Sequence, residues 1–116
     1  MRKWFVDNSH RGWATCPITE SGFVRVSSNP KVLPSAIGVG AALAVLSALR
    51  SVAGHQFLSD DVSPTDGDVP AMTGHRQVTD AHLLTLARRR GVCLLTFDAA
   101  ILALAGERDV ELLTVL

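Results

Sequence analysis

Three carboxylates fall in one kind of position along this sequence. Glu20 stands just after the apolar stretch Gly12–Ile18, Asp80 in the first turn of an amphipathic segment, and Asp98 directly after the apolar run Val92–Phe97. In an open α/β sheet such positions lie outside the carboxyl ends of the strands, where ligand sites form. Carboxylates that converge there repel one another unless a cation sits among them, and hard oxygen ligands suit Mg2+ or Mn2+. Each acid also fits a plainer role, because a carboxylate in the first turn of a helix gains about 0.3–1 kcal/mol against the macrodipole. Pattern alone leaves both readings open, so the surrounding elements and motifs have to decide.

The elements that would position these acids can be read from the apolar periodicity. Gly12–Ile18 reads as a buried strand with Pro17 at its end, handing over to a helix capped by Thr19. That helix carries Phe23, Val24 and Val26 and stops at the polar cluster Ser27-Ser28-Asn29-Pro30. A second helix is expected from about Ser35 to Ser51. Gly38 and Gly40 inside it each cost about 1 kcal/mol relative to alanine, which implies close packing there or a later start. His55–Ser59 reads as a short strand, and Asp60–Gly74, rich in Gly, Pro and acids, as an exposed loop.

From Val78 to Arg90 the apolar positions Ala81, Leu83, Leu84, Leu86 and Ala87 follow helical spacing, with Arg88-Arg89-Arg90 in the last turn and Gly91 as the stop. Val92–Phe97 has the continuous apolar character of a strand buried on both faces of a parallel sheet. A short helix over Ala99–Ala105 and a last strand over Val110–Leu116 follow, while residues 1–9 read as a short helix with Trp4 and Phe5 on one side. The resulting alternation of strands and helices predicts an α/β sandwich.

Composition narrows the class. The 116 residues suit one domain, and 47% hydrophobic against 19% charged residues gives enough apolar surface for a core. Eleven Lys and Arg balance eleven Asp and Glu, which excludes a uniformly basic nucleic-acid coat protein and leaves a local patch as the only electrostatic footprint for such a partner. Cys16 and Cys93 lie in apolar stretches far apart and are expected to be buried thiols, which fits a reducing compartment. The four histidines lack a zinc-ligand spacing. The apolar run Ala36–Leu49 falls short of the ~18–20 residues of a membrane span and reads as a core helix. The basic start Met1-Arg2-Lys3 leads to an apolar stretch that Asp7 ends too early for a signal peptide, so the expected location is the cytoplasm.

Two segments carry a resemblance. Gly74-His75-Arg76-Gln77-Val78-Thr79-Asp80-Ala81-His82-Leu83-Leu84, followed by Leu95-Thr96-Phe97-Asp98, resembles the second half of a PIN-domain ribonuclease toxin of the VapBC toxin–antitoxin type. Upstream, Trp13-Ala14-Thr15-Cys16-Pro17-Ile18-Thr19-Glu20-Ser21-Gly22-Phe23-Val24-Arg25 with Ser28-Asn29-Pro30 is similar to the segment that carries the family's glutamate. The resemblance implies a PIN-like three-layer α/β sandwich with a mainly parallel sheet, residues 1–116 forming a single domain. It also implies RNA cleavage by a metal-activated water on Mg2+ or Mn2+, with Glu20, Asp80 and Asp98 matching the second, third and fourth of four acids. Thr96 matches a hydroxyl position beside that site. A cognate VapB-type antitoxin and homodimerisation are further implications. In the family the first acid lies on an opening strand, and no such strand precedes Met1, so the expectation is a chain lacking that strand and one acid, through a late start or as a remnant.

Other residues are weighed against plainer roles. Arg76, near Asp80, is a candidate RNA-phosphate contact, whereas Arg88, Arg89 and Arg90 are expected to complement the helix dipole. His75 and His82 are expected to be structural or surface residues, and Trp4, Phe5, Trp13, Phe23 and Phe97 to be core. Two rivals stand beside the nuclease reading. One is a catalytically inactive remnant that still binds antitoxin. The other is a receiver-like domain with Asp98 as phospho-acceptor, which would need a late lysine, and the only lysines are Lys3 and Lys31.

Overall fold

A computed structural model describes residues 12–96 and 110–112, with side chains over 12–93. The chain divides into two compact units, Met1–Asp60 and Asp61–Leu116. Strands pair in parallel in both, which gives an α/β architecture.

In the first unit β1 (Trp13–Thr15) pairs with β2 (His55–Phe57), Trp13 opposite His55 and Thr15 opposite Phe57. The ladder is extended at both ends, by Trp13 N–H donating to the Gly54 carbonyl at 3.0 Å and Leu58 N–H donating to that of Thr15 at 2.8 Å. Gly54 makes the entry turn at φ 91°, a left-handed value that suits glycine. The strand at the start is shorter than Gly12–Ile18 predicts, because Pro17 begins α1 (Pro17–Ser27) instead of ending the strand. Proline at the first helical position loses no bond there and its fixed φ is already helical. Cys16 is therefore the cap residue, and Thr19 sits third in the helix. Its hydroxyl reaches back to accept the Cys16 N–H at 2.9 Å, a reversal of the capping expected.

The second helix, α2 (Val39–Arg50), starts four residues later than Ser35. Gly38 takes the extended cap position at φ −65° and ψ 160°, so only Gly40 lies within the helix and the smaller share of the glycine cost is incurred. The expectation of a core helix fails. Ala42 is the one buried residue of α2, while Val39 and Leu43 are 55% and 51% exposed. An apolar run this continuous carries no periodic signal of which side faces inward.

In the second unit a 3-10 turn (His75–Gln77) leads into α3 (Val78–Arg90), whose bounds match the expectation. Ala81, Leu84, Leu86 and Ala87 are buried, as is Thr85, whose hydroxyl is satisfied by donating to the Ala81 carbonyl at 2.7 Å. Gly91 closes the helix at φ 67°. Then β3 (Leu94–Thr96) pairs in parallel with β4 (Val110–Leu112). β3 starts two residues later than the run Val92–Phe97, while Phe97, residues 113–116 of the expected last strand and the helices expected over residues 1–9 and 99–105 lie outside the described residues. Cys16 is buried as expected, but Cys93 is exposed, since it precedes β3 in the turn after Gly91.

The loop before α3 is exposed, as expected, and it is tied down. Arg89 donates from Nε to Asp68 at 2.8 Å and from Nη2 to Asp66 and Asp68 at 2.7 Å each, with Asp61 at 3.7 Å from Nη1. Charge-assisted bonds of this forked kind are the strong ones among polar contacts. Asp68 is held below the ordinary aspartate value by the Arg89 hydrogen bonds, and Asp66 by the Ser63 backbone N–H and then Arg89. Arg89 itself is raised.

Candidate active site

Glu20 is the acid whose surroundings are most fully defined. It lies in the first turn of α1, and β1 ends immediately before that helix. Because side chains alternate along a strand, Trp13 and Thr15 share one face of β1, and His55 and Phe57 share the matching face of β2. On that face the Thr15 hydroxyl donates to Glu20 Oε2 at 2.5 Å and lies 2.8 Å from His55 Nε2. The His55 ring stands edge-on to Trp13, centroids 4.6 Å apart at 61°.

Arg50, at the end of α2, supplies a positive charge. Its Nε is 3.5 Å from Glu20 Oε2 and its Nη1 3.5 Å from Oε1, while the guanidinium stacks over Phe57 at 4.7 Å. The Arg50 side chain is 45% exposed and that of Glu20 12%. At such a distance and exposure the ion pair is worth about 0–1 kcal/mol, so the Thr15 bond fixes the carboxylate and Arg50 mainly balances its charge. Glu20 also lines an open groove of about 580 Å3 together with Val24, Leu43, Leu46 and Phe57.

The donor chemistry of Glu20 fits a hard divalent cation. A carboxylate offers about four lone-pair sites, of which Thr15 takes one at short range and Arg50 approaches only at 3.5 Å. Among the described residues no group of three or more His, Cys, Asp or Glu is assembled for a metal. Asp80 is in the first turn of α3, as its sequence position predicts, and Arg76 is exposed in the 3-10 turn before it. Thr96 lies in β3, and Asp98 lies outside the described residues. His75 is exposed and His82 partly buried, in keeping with structural or surface roles. Arg89 is engaged by three aspartates, so it does more than complement the dipole as expected. Thr15, His55 and Arg50 escaped the sequence reading. Thr15 lies within the quoted motif, but the partnership with His55 spans 40 residues and has no local signal.

Comparison with known proteins decides the family. No family model matches the chain. It is 66% identical over 119 residues to Ribonuclease VapC38 of Mycobacterium tuberculosis (strain ATCC 25618 / H37Rv), a match covering 100% of this chain and 84% of that relative. The chain belongs to the VapC ribonuclease family. Two further VapC relatives from the same organism agree. Ribonuclease VapC39 is 47% identical over 115 residues, covering 97% of this chain and 83% of the relative. Ribonuclease VapC44 is 41% identical over 103 residues, covering 86% and 72%. The resemblance read from the residues around Glu20, Asp80 and Asp98 is thus borne out at the level of the VapC family.

Proposed function

We propose that this VapC chain is an endoribonuclease, the toxin of a type II toxin–antitoxin pair, and that it depends on Mg2+ or Mn2+. The observation that carries the reading is the 66% identity to a ribonuclease along the whole chain. Glu20, Asp80 and Asp98 are the acids that would hold the metal, with Thr96 supporting them and Arg76 contacting RNA phosphate. When bound, a divalent cation lowers the pKa of water to make a nucleophile and neutralises charge on the phosphoryl oxygens. The chain's own residues then have only to present and orient hard oxygens. Glu20 is suited to this by its place at a helix start, its short bond from Thr15 and the balancing charge of Arg50.

The same reading takes residues 1–116 as one PIN-like domain, a three-layer sandwich with a mainly parallel sheet. Its partners are a VapB-type antitoxin and a second copy of the chain, and its location is the cytoplasm. No described helix is long and apolar enough to cross a membrane. The test is cleavage of an RNA pool by the purified chain with Mn2+ or Mg2+, with and without EDTA. Metal-dependent cleavage lost in Glu20→Gln and Asp80→Asn supports the reading. Antitoxin binding without cleavage under any metal condition would replace it with the inactive remnant.

A further inference from the structure

Glu20 carries a flexible side chain at the edge of a short strand pair, yet its carboxylate is held in one direction. The hydrogen-bond count explains how. A threonine hydroxyl has a single hydrogen, and a carboxylate can only accept, so that hydrogen goes to Glu20 Oε2. The 2.8 Å contact between the same hydroxyl and His55 Nε2 must then be made by a proton on the ring nitrogen. His55 therefore donates from Nε2 to Thr15, and Thr15 donates to Glu20, in a directional chain.

The ring is in turn fixed by its edge contact with Trp13, its partner in the β1–β2 register. Orientation thus passes from the sheet to the carboxylate through two hydrogen bonds, and each link polarises the next. Residues that hold a metal ligand in this way commonly govern affinity by 10–100-fold without touching the metal.

Building on the metal-nuclease reading above, we propose that His55 and Thr15 are positioning residues, a donor relay that presents the Glu20 carboxylate to the divalent cation. Neither residue touches substrate. The relay sets how tightly Mn2+ is held, and it is built on the parallel pairing of β1 with β2.

The test is Mn2+ binding to the full chain by titration calorimetry without RNA, alongside the Mn2+ dependence of RNA cleavage. Thr15→Val, nearly isosteric but without the hydroxyl, is expected to weaken Mn2+ binding about tenfold. It should shift the Mn2+ midpoint for cleavage equally while leaving the rate at saturating Mn2+ close to wild type. Thr15→Ser should restore binding. His55→Phe keeps a ring against Trp13 but removes the donor, and it should weaken binding in the wild-type background and add nothing to Thr15→Val. A ring nitrogen NMR spectrum of the wild-type chain should show His55 protonated at Nε2, which keeps the proposal testable if Thr15→Val fails to fold.

Wild-type Mn2+ affinity in both Thr15→Val and His55→Phe, with Glu20→Gln impaired, would overturn the relay and leave the nuclease reading standing. So would a His55 ring protonated only at Nδ1. Unchanged Mn2+ binding and cleavage in Glu20→Gln would instead remove Glu20 from the metal site and the relay with it.

Discussion

Arg89 grips Asp68 with two parallel hydrogen bonds, Nε to Oδ2 at 2.8 Å and Nη2 to Oδ1 at 2.7 Å, from the last turn of α3 to a loop 21 residues earlier. Lysine cannot reproduce this fork, because an ammonium is a point donor. Arg89→Lys should therefore loosen the loop almost as much as Arg89→Ala. Faster exchange of the Ser63 amide, whose acceptor Asp66 is also held by Arg89, is the expected sign. Wild-type exchange in Arg89→Lys would count against the fork.

The same cluster gives the protein an acid limit. Asp66 and Asp68 have folded-state pKa values below the ordinary one, so the folded state binds fewer protons than the unfolded state. Their stabilising contribution is complete above the ordinary value of ~3.9 and is lost as pH falls through it toward the lowered values. Tm measured from pH 6 to pH 2.5 should fall more steeply in wild type than in Asp66→Asn/Asp68→Asn, the two curves converging at the acid end. Parallel curves would refute the assignment.

Core and surface should respond differently to similar truncations. Leu84 is fully buried on α3, so Leu84→Ala should cost about 2–5 kcal/mol in chemical denaturation. Val45, 44% exposed on α2, should lose no more than about 0.5 kcal/mol as alanine. A large loss at Val45 would mean that α2 is covered in solution.

Gly91 ends α3 in the left-handed region at φ 67°, and among the described residues no atom beyond its chain neighbours lies within 4 Å of where a Cβ would stand. Gly91→Ala meets no steric neighbour among the described residues and should suffer the backbone cost, about 1–2 kcal/mol. Gly91→Asn should recover part of it, since asparagine tolerates this conformation. Equal stability of all three in thermal unfolding would contradict the cap.

Asp80 offers a direct check on catalysis. Asp80→Asn keeps the size and position of the side chain but removes its charge, so cleavage at fixed Mn2+ should fall by at least the ~10–100-fold seen when a metal ligand's support is lost. Retained cleavage would exclude Asp80 from the metal site.

How much of this was legible in the sequence depends on the range of the interaction involved. The helix Val78–Arg90 could be read to the residue, because its apolar spacing and its glycine stop are both local signals. Glu20 was placed at a helix start for the same reason. The late start of α2 was foreshadowed by Gly38 and Gly40, but its exposure was not, since a helix apolar on all sides gives no inward face. Cys93 is exposed against expectation because an apolar neighbourhood in sequence does not fix which residues between a helix and a strand face inward. The surroundings of Glu20 were hidden for a different reason. They depend on the register of two three-residue strands, and nothing in either strand names its partner.

The separation between Thr15 and His55 has a bearing on how the protein is made. The two are 40 residues apart, so Glu20 leaves the ribosome well before the histidine that completes its support. Glu20 and His55 are 35 residues apart, so at ~5–20 residues per second the delay is about 2–7 s, during which the β1–β2 ladder cannot form. A nascent chain carries the acid but not the arrangement around it, and the site matures only once the segment through Phe57 is free to pair.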